Sequence, residues 1–209
     1  MSNDAASRGL LFIVSAPSGA GKTTVVEQVI ARTPGTVRSI SYTCRARRGG
    51  EVDGRDYHFV SQADFEAMIA EDGFLEHADV FGNLNGTGRA ATERQLAAGL
   101  DLILVIDVQG ASQVRRHGVP SCSIFLMPPS ASVLEARLRG RSQDSEQAIA
   151  SRLGVARDEV KVFGDYDYVV VNDDAERCAE EVRAIVLAER ARLWHRRAQA
   201  EAIAATFRA

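Results

Sequence analysis

The chain has 209 residues, which suits one compact domain with small inserted lobes and a buried core. Hydrophobic residues make up 45%, charged residues 25%, and the net charge is −3. That is an ordinary globular composition without the basic excess of a dedicated nucleic-acid binder. The apolar run near the N-terminus is too short to span a membrane, and no signal-peptide cleavage pattern follows it. Neither nucleic acid nor membrane is therefore an expected partner. Cys44, Cys122 and Cys178 are widely spaced and form no CxxC pair, which reads as reduced thiols in a cytoplasmic protein.

Leu10 to Val14 is a continuous apolar run, the pattern of a strand covered on both faces. A glycine-rich turn leads into a helix from Lys22 to Arg32, stopped by Pro34 and Gly35. From Val37 to Val60 the pattern is broken and β-rich. Ser61 and Asp64 form a helix-start signature, predicting a short helix to Ala70. Phe74 to Phe81 reads as a strand, and Gly82 to Gly88 as turn-rich. A helix to about Ala98 is closed by Gly99. Leu102 to Ile106 is a second apolar strand and ends at Asp107. Ser123 to Leu126 is a third, ended by Pro128 and Pro129. Ser130 starts a helix that Gly140 closes, and Gly140 to Ser145 is a polar loop. Glu146 to Phe163 is helical, Tyr168 to Val171 is a fourth apolar strand, and one long helix runs from Ala175.

Apolar strands alternating with helices imply a parallel sheet wrapped by helices. The interval from Ser39 to Arg94 departs from that rhythm and reads as an inserted lobe. In such folds ligands bind beyond the carboxyl ends of the strands, where Ser15, Asp107 and Asn172 fall.

The segment Ser15-Ala16-Pro17-Ser18-Gly19-Ala20-Gly21-Lys22-Thr23-Thr24 lies between the first strand and the first helix. It is a phosphate loop with Ala16 where the usual pattern begins with glycine. Its glycines let backbone N–H groups turn toward phosphate oxygens, and the helix N-terminus adds partial positive charge. Lys22 places a full charge on the terminal phosphates of a nucleoside triphosphate, and Thr23 offers a hydroxyl to Mg²⁺. Asp107, at a strand end, matches the acid that holds Mg²⁺ through its water shell; alternatively it caps the Gln109–Gly110 turn. The arginines cluster at Arg45–Arg48 and Arg137–Arg141, a pattern suited to a small anionic ligand.

The stretch Ser41-Tyr-Thr-Cys-Arg45-Ala-Arg-Arg48-Gly-Gly-Glu-Val-Asp-Gly54, followed by Tyr57-His-Phe59, resembles the guanylate kinase family. The resemblance continues through Phe74-Leu-Glu76, Gly86-Thr87, Ile106-Asp107-Val-Gln-Gly110, Arg137-Leu-Arg-Gly-Arg141, Arg152-Leu153 and Tyr168 to Asp173. It spans about Leu10 to Arg192.

The resemblance implies an α/β P-loop fold of three layers. Residues 1–38 and 95–209 would form the core, with a parallel sheet. Residues 39–94 would form an inserted mixed or antiparallel β-rich GMP-binding lobe, and 136–153 a short helical lid. It implies transfer of a phosphoryl group from ATP, with Mg²⁺, to GMP, by an enzyme that is a monomer or a homo-oligomer. Arg45, Arg48 and Tyr57 would hold the GMP phosphate. Glu76 would read guanine, whose adjacent N1–H and N2–H₂ donors one carboxylate can accept, while Ser41, Gly86, Thr87 and Asp107 complete that pocket. Arg137 and Arg141, four apart on one helix face, would close with Arg152 over the transferring group. Asn172 and Asp173 would lie near the adenine.

Two positions depart from the family pattern. Leu84-Asn85-Gly86 stands where the family reads Tyr-Tyr-Gly, and Asn-Gly is itself a turn signal. Val105 stands where the family has a second acid, on the same strand face as Asp107. The expectation is an active enzyme with weakened GMP binding or turnover. Competing readings are a catalytically dead binding module of the same family and a kinase for a sugar phosphate. The retention of Lys22, Arg137, Arg141 and Arg152 speaks against the first, and Glu76 with Arg45 and Arg48 against the second.

Overall fold

The computed structural model describes residues 8–80, 82–141 and 145–208. In chain order its strands are β1 (Leu11–Ser15), β2 (Thr36–Arg38), β3 (Tyr42–Thr43), β4 (His58–Phe59), β5 (Phe74–Val80), β6 (Asn83–Gly88), β7 (Asp101–Val105), β8 (Cys122–Met127) and β9 (Tyr168–Val171). The helices are α1 (Lys22–Arg32), α2 (Gln62–Ala70), α3 (Arg89–Ala97), α4 (Val108–Arg116), α5 (Ala131–Arg141), α6 (Glu146–Glu159), α7 (Ala175–Arg190) and α8 (Leu193–Ala205).

A five-stranded sheet runs in the order β2-β7-β1-β8-β9, with every pair parallel. All of β1 is buried because helices cover both faces. Phe12 and Val14 point to one side, against Val25, Val26 and Val29 of α1 and Val182 and Val186 of α7. Leu11 and Ile13 point to the other, against Leu96 of α3 and Ala111 and Val114 of α4. Fully burying each such side chain contributes on the order of 1.5–3 kcal/mol. The sheet is thus the rigid middle layer, and its carboxyl rim carries Ser15, Val105 and Met127. The second sheet, β4-β3-β6-β5, is mixed: β3 runs parallel to β4, while β6 is antiparallel to both β3 and β5.

The chain is held to the first sheet at its edge by one buried acid. Asp101, 4% exposed, accepts from the Leu10 N–H at 2.7 Å and from Arg190 Nε at 2.6 Å. Arg190 also donates to the Pro34 carbonyl and the Thr36 hydroxyl. Together these contacts fasten the ends of α7 and α1 to the start of β7.

The structure corrects four sequence expectations. Residues 83–88 are a strand, with Ala78 opposite Asn85 and His77 opposite Gly86. The glycine at 86 serves close approach: a Cβ there would lie 2.9 Å from both the Glu76 carbonyl and the Phe74 ring. The reversal comes earlier, where the Gly82 N–H bonds the Asp79 carboxylate. Gly140 does not close α5, which continues through Arg141; it is exposed, so the missing side chain loses no packing. The helix expected from Glu146 to Phe163 is α6 followed by a 3₁₀ turn, Val160–Asp165. The long C-terminal helix is two helices. Arg192 takes an extended ψ of 142°, and the Arg196 guanidinium bonds the Arg190 carbonyl at the end of α7. The structure also contains α4, for which the sequence reading had no element; Asp107 caps it by accepting from the Gly110 N–H at 2.8 Å.

Candidate active site

The phosphate loop emerges from the carboxyl end of β1 and turns into α1 at Lys22. Gly21 is the N-cap with φ 92°, and no side chain caps the helix. The first-turn N–H groups are therefore not taken by a capping side chain, and the helix end carries partial positive charge. Asn172, at the end of β9 and 2% exposed, supports the loop from behind and donates from Nδ2 to the Ala20 carbonyl at 2.6 Å. Thr23 and Thr24 are exposed in the first turn. Lys22 Nζ donates to the Ala16 carbonyl. Burial pulls the Lys22 pKa below its ordinary value, against the opposing pull of Glu159 and Asp107.

Glu159, at the end of α6, was not singled out in the sequence. Its carboxylate faces the Ser18 N–H and Lys22, and burial raises its pKa. Only the tertiary path of α6 over the sheet rim brings it there.

Beside the loop opens a cleft of about 400 Å³ lined by Lys22, Ser41, Arg45, Arg48, Tyr57, Glu76, Asn83, Asn85, Gly86, Val105 and Asp107 among others. Most of the residues expected to hold the acceptor therefore converge next to the loop lysine. The second sheet builds the outer wall: Ser41 and Arg45 flank β3 on its two sides, and β5 and β6 carry Glu76 and Gly86. Thr87 sits behind, donating its hydroxyl to Glu76 Oε1 at 2.6 Å. Glu76 is 6% exposed, and its pKa is pushed up to about 7 by burial, with Asp107 adding to the rise and Thr87 opposing it. Both departures from the family pattern, Asn85 and Val105, face this same cleft. Asn85 is turned aside, with Nδ2 on the Asn83 carbonyl at 2.9 Å.

Arg45 is held by Glu51, a residue the sequence reading gave no role. It lies over the Tyr57 ring with its guanidinium carbon 4.9 Å from the centroid, and over Phe59 at 5.6 Å. Glu51 also accepts the Arg48 backbone N–H at 2.8 Å, so it organises the whole arginine loop. Its carboxyl is held down to about 2, first by the hydrogen bonds from Arg45 and next by that from Arg48. The signal in the sequence was an acid three residues after Arg48 in an arginine-rich turn.

The residues expected to form the lid lie apart from this cleft. Arg137 on α5 reaches the Asp173 carbonyl at 3.4 Å, and Arg152 lies on α6. Neither lines the cleft. Arg141 ends α5, but its side chain and residues 142–144 lie outside the described residues. The Asp173 carboxylate pairs with Arg177.

A parallel sheet with a phosphate loop at its central strand, an acid at the end of the neighbouring strand, and an arginine-bearing second lobe define a P-loop nucleotide kinase. The guanylate kinase family model matches residues 8–189. Among similar proteins, the guanylate kinase of Thiobacillus denitrificans is 51% identical over 180 residues, 86% of each chain. That of Escherichia coli is 46% identical over 198 residues, covering 94% of this chain and 96% of the other. A crystal structure of guanylate kinase from Anaplasma phagocytophilum superposes with a TM-score of 0.71 at 35% identity, covering 89% of this chain and 88% of that one. The chain belongs to the guanylate kinase family.

Proposed function

We propose that the protein performs the reaction of its family, ATP + GMP to ADP + GDP, with the residues of this cleft and loop in the following roles. The observation that carries the assignment is the single cleft shared by Lys22, Arg45, Arg48 and Glu76. On this reading a donor-phosphate cation, an acceptor-phosphate clamp and a guanine reader share one small volume.

Residues 39–94 act as the acceptor lobe. Arg45, Arg48 and Tyr57 receive the GMP phosphate, and Ser41, Glu76, Gly86 and Thr87 the base. The loop Ala16 to Thr24 cradles the triphosphate, with Asp173 on its adenine side and Asn172 behind the loop. No general base is needed, because the acceptor is a phosphate monoester already anionic near neutral pH. Catalysis reduces to aligning two anions and shielding their repulsion. Arg137, Arg141 and Arg152, in a lid spanning 136–153, would close over the transferring group. An arginine in that position is worth roughly 10³–10⁵ in rate.

Among the described residues no group of three or more His, Cys, Asp or Glu side chains could hold a metal ion. The Thr23 hydroxyl and the Asp107 carboxylate fit Mg²⁺ arriving with the nucleotide, since Mg²⁺ keeps several waters and uses few protein ligands. Thr23 would offer its hydroxyl directly and Asp107 its carboxylate through water. The ion, when bound, neutralises charge on the transferring phosphates. The three cysteines are free thiols, in keeping with a cytoplasmic setting, and no helix among the described residues is long and apolar enough to cross a membrane.

The test is ADP formation from Mg·ATP with GMP, dGMP, AMP and sugar phosphates assayed in parallel. GMP should be strongly preferred. Equal rates with AMP would sink the role given to Glu76.

A further inference from the structure

The Ala20–Gly21 peptide is the turn at which the phosphate loop becomes helix. It is trans, as are all described peptide bonds, so the Ala20 C=O and the Gly21 N–H point in opposite directions from one rigid plane. Asn172 Nδ2 grips that carbonyl at 2.6 Å from the side of β9. The plane is thereby held, with the Gly21 N–H projecting to the side opposite Asn172. Asn172 itself cannot shift easily. It is 2% exposed, its own N–H is bonded to the Met127 carbonyl at 2.8 Å, and a Cβ on Gly21 would lie 2.7 Å from its Nδ2. Its Oδ1 is buried without a hydrogen-bond partner among the described residues. A residue kept only for packing would carry that unpaired acceptor at a cost an apolar isostere avoids. The loop carbonyl is what the amide's donor half is there to hold.

We infer that Asn172 is a positioning residue for the triphosphate: by fixing the Ala20 carbonyl it aims the Gly21 N–H into the phosphate cradle, and it acts on the phosphates rather than on the adenine. The inference rests on the reading of Ser15 to Thr24 as the triphosphate site and refines the place of Asn172 within it.

The two roles separate by probe. Inorganic tripolyphosphate carries the phosphates without the base, and GTP carries them with a different base. Asn172→Leu keeps the branched shape and deletes the donor. It should raise the KM for ATP and the inhibition constant of tripolyphosphate together, each by about tenfold. The ratio of kcat/KM for ATP over GTP should stay unchanged, and the KM for GMP should stay within about twofold. A collapse of the ATP to GTP ratio with tripolyphosphate unaffected would make Asn172 a base reader and overturn the inference. Unchanged tripolyphosphate inhibition with an unchanged ratio would overturn it too. Failure of tripolyphosphate to bind the wild-type protein would remove the cradle reading and this inference with it. Should the leucine variant not fold, the wild-type protein still decides. The Gly21 amide resonance must move downfield on saturation with tripolyphosphate, and an unmoved resonance overturns the inference.

Discussion

Glu51 holds Arg45 at both prongs of its guanidinium, Oε2 to Nη1 at 2.8 Å and Oε1 to Nη2 at 2.5 Å. Arg45 is only 16% exposed, and the same carboxylate accepts the Arg48 N–H. The pair fixes where the guanidinium sits before any phosphate arrives, so less side-chain entropy is lost on binding.

Replacing Arg45 with alanine should raise the KM for GMP by about a hundredfold, the scale of losing one buried partner of a charged pair. Glu51→Gln should raise it by about tenfold, since the arginine remains but is no longer held. Both should leave the KM for ATP unchanged. The double substitution should cost less than the product of the two, because both act through one interaction. Steady-state kinetics of the three variants check this. A Glu51→Gln enzyme with wild-type GMP kinetics would remove the positioning role.

Glu76 sets a pH dependence. It must be ionised to accept two guanine donors, yet in the empty cleft its pKa stands near about 7. GMP binding should therefore release a proton from Glu76 at lower pH. The kcat/KM for GMP should fall as pH drops below about 7 and level off above it. The GMP phosphate titrates on its own near about pH 6. Glu76→Gln should thus lose the component near 7 and keep the lower one. Without GMP the sign for stability is opposite. A carboxyl whose pKa is raised from 4.5 to about 7 favours the folded state most at low pH, and that contribution is lost as pH rises through about 7.

Asn85 and Val105 face the acceptor cleft from two different elements, β6 and β7. Asn85→Tyr and Val105→Asp should each raise kcat/KM for GMP. The tyrosine would add a hydroxyl donor, and the aspartate a second carboxylate on the face of Asp107. If neither substitution improves kcat/KM for GMP, the expectation that these departures weaken the enzyme is wrong.

Asp101 and Arg190 test the frame rather than the chemistry. The acid is almost fully buried and bonded to both Arg190 and the Leu10 N–H. Asp101→Ala should lower unfolding stability by about 3–5 kcal/mol, because it leaves a partly buried arginine and a buried N–H unpaired. Chemical denaturation measures it. The KM values for both nucleotides should be unchanged in the protein that remains folded, since this contact lies at the opposite end of β7 from Asp107.

Much of this molecule was legible in the sequence wherever a property is local. The apolar runs of β1 and β7 declare strands buried between layers, Ser61 declares a helix start through its bond to the Asp64 N–H, and the spacing of Gly19, Gly21 and Lys22 declares a phosphate loop. Arg45, Arg48 and Glu76 were singled out through family resemblance, and the structure brings them to one cleft. What the tertiary structure alone decided are contacts between residues far apart in the chain. Asn85–Gly86 carries a turn signal yet forms strand, because pairing with β5 and the crowding by Phe74 outweigh a two-residue preference. Glu159 meets Ser18, and Asn172 meets Ala20, only because α6 and β9 return to the rim of the sheet where β1 ends. The phosphate loop can be read from ten consecutive residues, but the carbonyl at which it turns into α1 is held by a side chain more than a hundred residues away.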